Sequence, residues 1–204
     1  MAEAYNPLDK LNLGKSVVEA MLVQAACPMS AVAPFEGAGI YAIYYHGGFE
    51  PYAAISGDPQ AIEAVPIYVG KAVPPGARRG SSLTTSVSGR WLYNRIVEHR
   101  DSIAAVERGA GNLRVGDFSV RYLAVDDIWI PLGESLLISS FNPLWNRVID
   151  GFGNHDPGAG RYNGMRPLWD VLHPGRAWAE RCQPRPETRE EIGRRIIDYL
   201  SPAR

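Results

Sequence analysis

Cysteine is almost absent from this chain. Cys27 and Cys182 stand far apart, and neither has a second Cys or His at ligand spacing. That excludes a disulfide framework and a structural zinc site, and it predicts two buried, reduced thiols. Long hydrophobic runs are missing too. No stretch approaches the roughly 20 apolar residues of a membrane span, and the N-terminus carries acidic Glu3 instead of a basic run, so neither a signal peptide nor a transmembrane segment is expected. The reading is a soluble, cytoplasmic protein without a membrane partner. A surplus of charge is also lacking: the formal net charge is -1, which argues against a non-specific polyanion binder. Lysine is scarce, since 18 of the 21 basic residues are arginine, the side chain whose two-pronged fork suits phosphate and guanine edges. Arg-rich codon usage explains that total equally well.

Codon usage explains the placement less well. From Lys71 to Arg100 there are six basic residues (Lys71, Arg78, Arg79, Arg90, Arg95, Arg100) against one acid, Glu98, a segment suited to facing phosphate. With 204 residues and 46% hydrophobic content, the chain can bury one good core, so one domain spanning 1–204 is expected.

Along that domain, Val17, Val18, Met21, Leu22 and Ala25 fall at helical spacing, which predicts a helix over 15–24, after Gly14. Pro28, Pro34, Gly37 and Gly39 mark an irregular linker. Residues 40–45 are all apolar or aromatic and read as a strand, and the short run 52–55 is expected to pair with it across Gly47-Gly48. A further strand is expected over 65–70. Residues 74–89, rich in Gly, Ser and Thr, read as a long loop. Leu92, Ile96, His99 and Ile103 predict a helix to about Val106, and Phe118, Val120 and Tyr122 alternate as a strand. Pro131 suits a helix first turn, so 132–141 reads as helical until Asn142-Pro143. Residues 151–175 change to Gly, Pro, His, Asn and Arg without periodicity, too long for an idle connection. Thr188 and Glu191, at capping-box spacing, open a last helix.

Several side chains have the chemistry of a hydrolytic site. Glu134 is a carboxylate in a largely apolar segment, so it is paired, solvated or metal-bound; an exposed Glu favoured by the helix dipole is the plainer reading. Arg95 and His99, four apart, project from one helix face. A guanidinium there can stabilise phosphate charge and an imidazole can take a proton near neutral pH, though a simple polar helix edge looks the same. Lys71 alone is an ordinary surface lysine. Tyr41, in Gly39-Ile40-Tyr41, and Tyr68, in Ile67-Tyr68-Val69-Gly70-Lys71, would lie side by side if their runs form neighbouring antiparallel strands.

Taken in order, Gly39-Ile40-Tyr41, Tyr68-Val69-Gly70-Lys71, Arg95 with His99, Glu134, and Asn146 in Asn142-Pro143-Leu144-Trp145-Asn146 resemble the full motif set of the GIY-YIG nucleases. Val69 for the usual Ile keeps a β-branched strand residue. The resemblance covers about 39–150, the catalytic core, and implies an α+β fold built on a small three-stranded antiparallel sheet with flanking helices. Residues 1–38 and 151–204 are then N- and C-terminal additions. The resemblance also implies that one Mg2+ (or Mn2+) per site is held by Glu134 and that Arg95 neutralises charge. Tyr41 would orient the attacking water and yield its proton to His99 or Lys71, Tyr68 would orient water or phosphate, and Asn146 would join that network.

Residues 151–158 (Gly-Phe-Gly-Asn-His-Asp-Pro-Gly), followed by Arg161, Arg166 and a run ending in Arg176, are similar to the C-terminal part of type II restriction endonucleases of this family that cut CCGCGG. Asn154, His155, Asp156, Arg161, Arg166 and Arg176 are therefore candidate base readers, with a packed Ω-like loop as the alternative for any one of them. Arg78, Arg79 and Arg90 are candidate phosphate contacts. A palindromic target in double-stranded DNA implies a homodimer, with the first helix and residues 27–39 as candidate contacts. A repair or homing-type nuclease of the same family, or a silent DNA-binding module, are the alternatives. Nine arginines against seven acids in residues 151–204 disfavour the extended basic tail of a homing enzyme. A silent module should lack one of Tyr41, Arg95 and Glu134, and all three are present.

Overall fold

The computed structural model describes residues 6, 8–61, 63–74, 89–158 and 161–201. Its strands are β1 (Cys27–Pro28), β2 (Gly39–Tyr45), β3 (Tyr68–Ala72) and β4 (Phe118–Ala124). They form one sheet in the order β1-β4-β2-β3, antiparallel throughout. The helices are α1 (Lys10–Leu22), α2 (Trp91–Arg108), α3 (Ile130–Phe141), α4 (Leu144–Arg147), α5 (Leu168–Leu172), α6 (Ala177–Glu180) and α7 (Arg189–Leu200). The architecture is α+β, and the expected three strands gain a fourth, the two-residue β1, on the outer edge of β4.

Every residue of β2 is buried, because both of its edges are paired and both of its faces are covered. Tyr41, Ile43 and Tyr45 point into the larger core cluster, with Leu92, Ile96, Ile103 and Val106 of α2. Ile40, Ala42 and Tyr44 point the other way, against Met21 of α1 and Ile130 and Leu137 of α3. That sandwiching is why the strand reads as a continuous apolar run rather than an alternation.

The doubly paired β2 also explains a wrong expectation. Residues 52–55 are not a strand but belong to a 3-10 helix, Glu50–Ile55. The register leaves β2 no free edge for them, and Pro51 supports the helical start instead. Tyr52 then turns inward, where its hydroxyl accepts from Trp145 Nε1 at 2.9 Å and bonds His173 Nε2 at 2.5 Å. α1 starts earlier than expected, capped by the Asp9 carboxylate on the Leu11 amide. Gly14 lies inside it, packed close to Leu136 of α3, instead of before it. β3 starts later than expected, although Ile67 already donates to Ile43 O at 2.8 Å. Cys27 and Cys182 are free thiols; Cys182 is buried as expected, whereas Cys27, at the start of β1, is only half-buried. Residues 27–32 are woven into the fold rather than left as a free linker: Cys27 pairs with Val120, and Met29 and Val32 join the core.

The residues after 150 share that core. Phe152, Leu168, Trp169, Leu172, Ile192 and Ile196 join the same cluster as Tyr41 and Ile43. α7 starts with both halves of its capping box in place: Thr188 accepts from the Glu191 amide, and Glu191 from that of Thr188. Thr188→Ala should therefore cost about 0.5–2 kcal/mol, read as a lowered urea midpoint with an unchanged slope. A midpoint equal to that of the parent would show that the cap contributes nothing. Among the described residues no helix is long and apolar enough to cross a membrane.

Candidate active site

β2 and β3 bring the two tyrosines together. Tyr41 pairs with Gly70 and Tyr68 with Ile43, so both rings leave the same face two positions apart, with centroids 6.2 Å apart. The Tyr41 hydroxyl lies over Gly70, where a Cβ would overlap it. The glycine after the second tyrosine is thus the space that the first tyrosine occupies.

α2 supplies the next two groups. Arg95 and His99, one turn apart, both reach this face, and Tyr41 Oη lies 2.6 Å from His99 Nε2. Burial holds the His99 imidazole well below its ordinary pKa, with Arg95 next in effect, so the ring is neutral at neutral pH. With its proton on Nδ1, Nε2 is free to accept from the phenol. Burial pushes the Tyr41 phenol well above its ordinary value, Tyr68 adds to the rise and Arg95 opposes it. Tyr68 is likewise raised by burial.

Lys71 and Glu134 approach around the open edge of β3. Lys71 alternates onto the α3 side, where its Nζ lies 2.6 Å from Glu134 Oε2. The carboxylate remains close enough to raise the Tyr68 phenol further. The site thus straddles one edge strand, with the tyrosines, Arg95 and His99 on one side and Lys71 and Glu134 on the other.

Asn146, expected in a water or phosphate network, lies against β3. Its side chain accepts from Val69 N and donates to Val69 O, both at 2.8 Å, pairing with the exposed backbone of β3 as a strand would. It fixes the strand that carries Tyr68 and Gly70. Two of the candidate base readers also have internal tasks. Arg176 is 5% exposed; it pairs with Asp170 at 2.5 Å and donates to the carbonyls of Gly151, Phe152 and Asn154. Five hydrogen bonds thus hold the guanidinium inside the protein. Arg166 donates to the carbonyls of Ala179 and Glu180 at the end of α6. Arg90, Asn154 and Arg161 are exposed, whereas Arg78 and Arg79 lie outside the described residues. Asp156 is exposed and accepts from Gly158 N, Tyr162 Oη and Arg181 Nη2.

The sequence carries no signal for the wall that residues 152–155 form. Phe152 stacks on the His99 ring at 4.4 Å and 18°. Gly153 O accepts from Arg95 Nη2 at 2.7 Å, and a Cβ on Gly153 would come to 2.7 Å from Tyr68 Oη. His155 meets Arg95 Nη1 through Nε2, and Glu98 takes the same Nη1 at 2.8 Å. His155, expected at bases, stands beside the arginine of the first motif set.

Glu134 could serve a divalent cation, and among the described residues no group of three or more His, Cys, Asp and Glu side chains could hold a metal. Such a donor set fits Mg2+, which commonly takes one or two carboxylates and completes its shell with water and substrate phosphate. Lys71 would have to yield or share that carboxylate, which its partly exposed, flexible stem allows.

A family model described as the Eco29kI GIY-YIG domain matches residues 33–200. No curated protein matches the chain in sequence.

Proposed function

Because the chain belongs to the Eco29kI GIY-YIG domain family, a restriction-type nuclease family, we propose that it is a type II site-specific endonuclease. It hydrolyses phosphodiester bonds of double-stranded DNA with one Mg2+ per active site, and its target is a GC-rich palindrome such as CCGCGG. The observation that carries the reading is the 2.6 Å bond between Tyr41 Oη and a neutral, buried His99. It joins the first motif to the third and gives a phenol a proton acceptor.

In this reading Arg95 faces the scissile phosphate and offsets the charge that develops there. A phenol with a raised pKa stays protonated at neutral pH, so Tyr41 acts as a relay. It accepts the proton of the attacking water as it passes its own to His99 Nε2. Tyr68 orients water or phosphate through its hydroxyl. Asn146 keeps β3, and with it Tyr68, in register. Glu134 would hold the cation, which when bound polarises the phosphate and stabilises the leaving oxygen. Arg90, Asn154, Asp156 and Arg161 remain the proposed DNA contacts, with Arg78 and Arg79.

A palindrome calls for a two-fold dimer with one site per strand. The outward side of α1, where Leu11 is 50% exposed and the preceding Leu8 76%, is the proposed contact. Plasmid DNA incubated with the protein in magnesium should give discrete fragments and in EDTA none. Mapped ends should fall at one palindromic sequence. Intact plasmid after incubation with folded protein in either magnesium or manganese would sink this reading, and smeared, sequence-independent products would restrict it to a nuclease without site choice.

A further inference from the structure

The C-terminal extension completes the catalytic centre. Arg176, anchored on Asp170, grips the carbonyls of residues 151, 152 and 154, and Phe152 is 1% exposed under the His99 ring. The next residue after the last gripped carbonyl is His155, and its ring touches the Arg95 guanidinium. We infer that His155 is a positioning residue for Arg95, orienting the guanidinium toward the scissile phosphate from outside the family motifs. This rests on the nuclease reading above.

Arg95 has five N–H donors; Glu98 and His155 take the two on Nη1, and Gly153 O takes one on Nη2. Arg95 also hydrogen-bonds the Tyr41 and Tyr68 hydroxyls, so the phenols share the donors that these three partners leave, and a phosphate there would meet guanidinium and phenols together. The three partners are not equivalent. Glu98 is a carboxylate, which an approaching phosphate repels. Gly153 O and a neutral His155 orient the guanidinium without cancelling its charge and are not repelled. They are the partners that remain when DNA is bound, and His155 is the one that a substitution can remove.

The test compares His155→Ala and His155→Gln with wild type on a plasmid that the wild type cuts. Single-turnover rates are measured with magnesium, and DNA affinity is measured separately without it. His155→Ala should slow cleavage about 10- to 100-fold, with affinity within about threefold of wild type. His155→Gln, whose amide oxygen can accept from the same N–H, should recover most of the rate. A general packing role would not show that rescue. Independently of any cleavage, the His155 titration is followed by NMR in wild type and in Arg95→Met, and removal of the neighbouring cation should raise its midpoint.

Wild-type rates in His155→Ala, a loss confined to affinity, or a Gln variant as slow as the Ala variant would overturn the inference while leaving the nuclease reading intact. An unchanged titration midpoint in Arg95→Met would overturn it by removing the contact. A wild type that cuts no DNA overturns the catalytic role together with the nuclease reading, and the titration then shows whether the contact alone survives.

Discussion

Glu134→Gln is expected to lower DNA cleavage by about a thousandfold or more while leaving the fold and DNA binding nearly unchanged. The substitution keeps the shape of the side chain and removes its charge. In the proposed mechanism that charge holds the divalent cation, whose electrostatic help to the reacting phosphate amounts to several kcal/mol, and about 4 kcal/mol is roughly a thousandfold in rate. Stability should hardly move. The Lys71–Glu134 pair is partly exposed, with side chains 38% and 20% accessible, and pairs of that kind contribute about 0–1 kcal/mol. Removing a negative charge next to DNA should, if anything, help binding. Single-turnover cleavage, binding without magnesium and thermal unfolding measure the three terms separately. Retained cleavage would remove Glu134 from the chemistry, whereas a collapse of stability would make it a structural residue.

Arg176→Met is expected to have the largest effect on stability, about 3–5 kcal/mol, the usual loss when one partner of a buried ion pair is removed. The side chains of Arg176 and Asp170 are 4% and 1% exposed. Without the guanidinium the Asp170 carboxylate is stranded, and the carbonyls of residues 151, 152 and 154 lose their donor. The deficit should depend on pH. Burial already holds the Asp170 carboxyl above its ordinary value, with Arg176 pulling it down. Loss of Arg176 raises it further, so the folded variant binds a proton more readily than the unfolded chain does. Stability of the variant should then fall as pH rises above the ordinary carboxylate range, and the gap to wild type should narrow on acidification. Urea unfolding at pH 7 and pH 4.5 tests this. An equal gap at both values would show that the stranded carboxylate is not the cause. A double substitution that also replaces Asp170 by Leu should regain part of the loss, since an apolar pair of similar volume can replace a buried ion pair at little cost.

Much of the candidate site was legible in the chain because local rules govern it. Helical spacing puts Arg95 and His99 on one face of α2, and strand alternation brings Tyr41 and Tyr68 to one face of the sheet. The capping box at Thr188 was visible because it is a contact between residues three apart. Strand pairing was less accessible. The run 52–55 has a strand's composition, yet both edges of β2 go to β3 and β4, a competition among segments far apart in sequence. Composition also left the partners of the arginines open. Arg176 and Arg166 sit in a Gly- and Asn-rich stretch suited to reading DNA, yet Arg176 bonds Asp170 and three backbone carbonyls, and Arg166 gives two donors to the carbonyls of Ala179 and Glu180.

The sequence by itself determined the family-like order of Tyr41, Tyr68, Arg95, His99, Glu134 and Asn146 and the elements that carry them, because residue type and spacing of two or 3.6 suffice for that. Only the tertiary structure decided that Asn146 seals the edge of β3, that Lys71 pairs with Glu134, and that residues 152–155 wall the site and bring His155 to Arg95. Each of those contacts joins residues dozens of positions apart. They form only once the apolar faces of β2, α2 and the extension have been buried together, a collapse that no local pattern encodes.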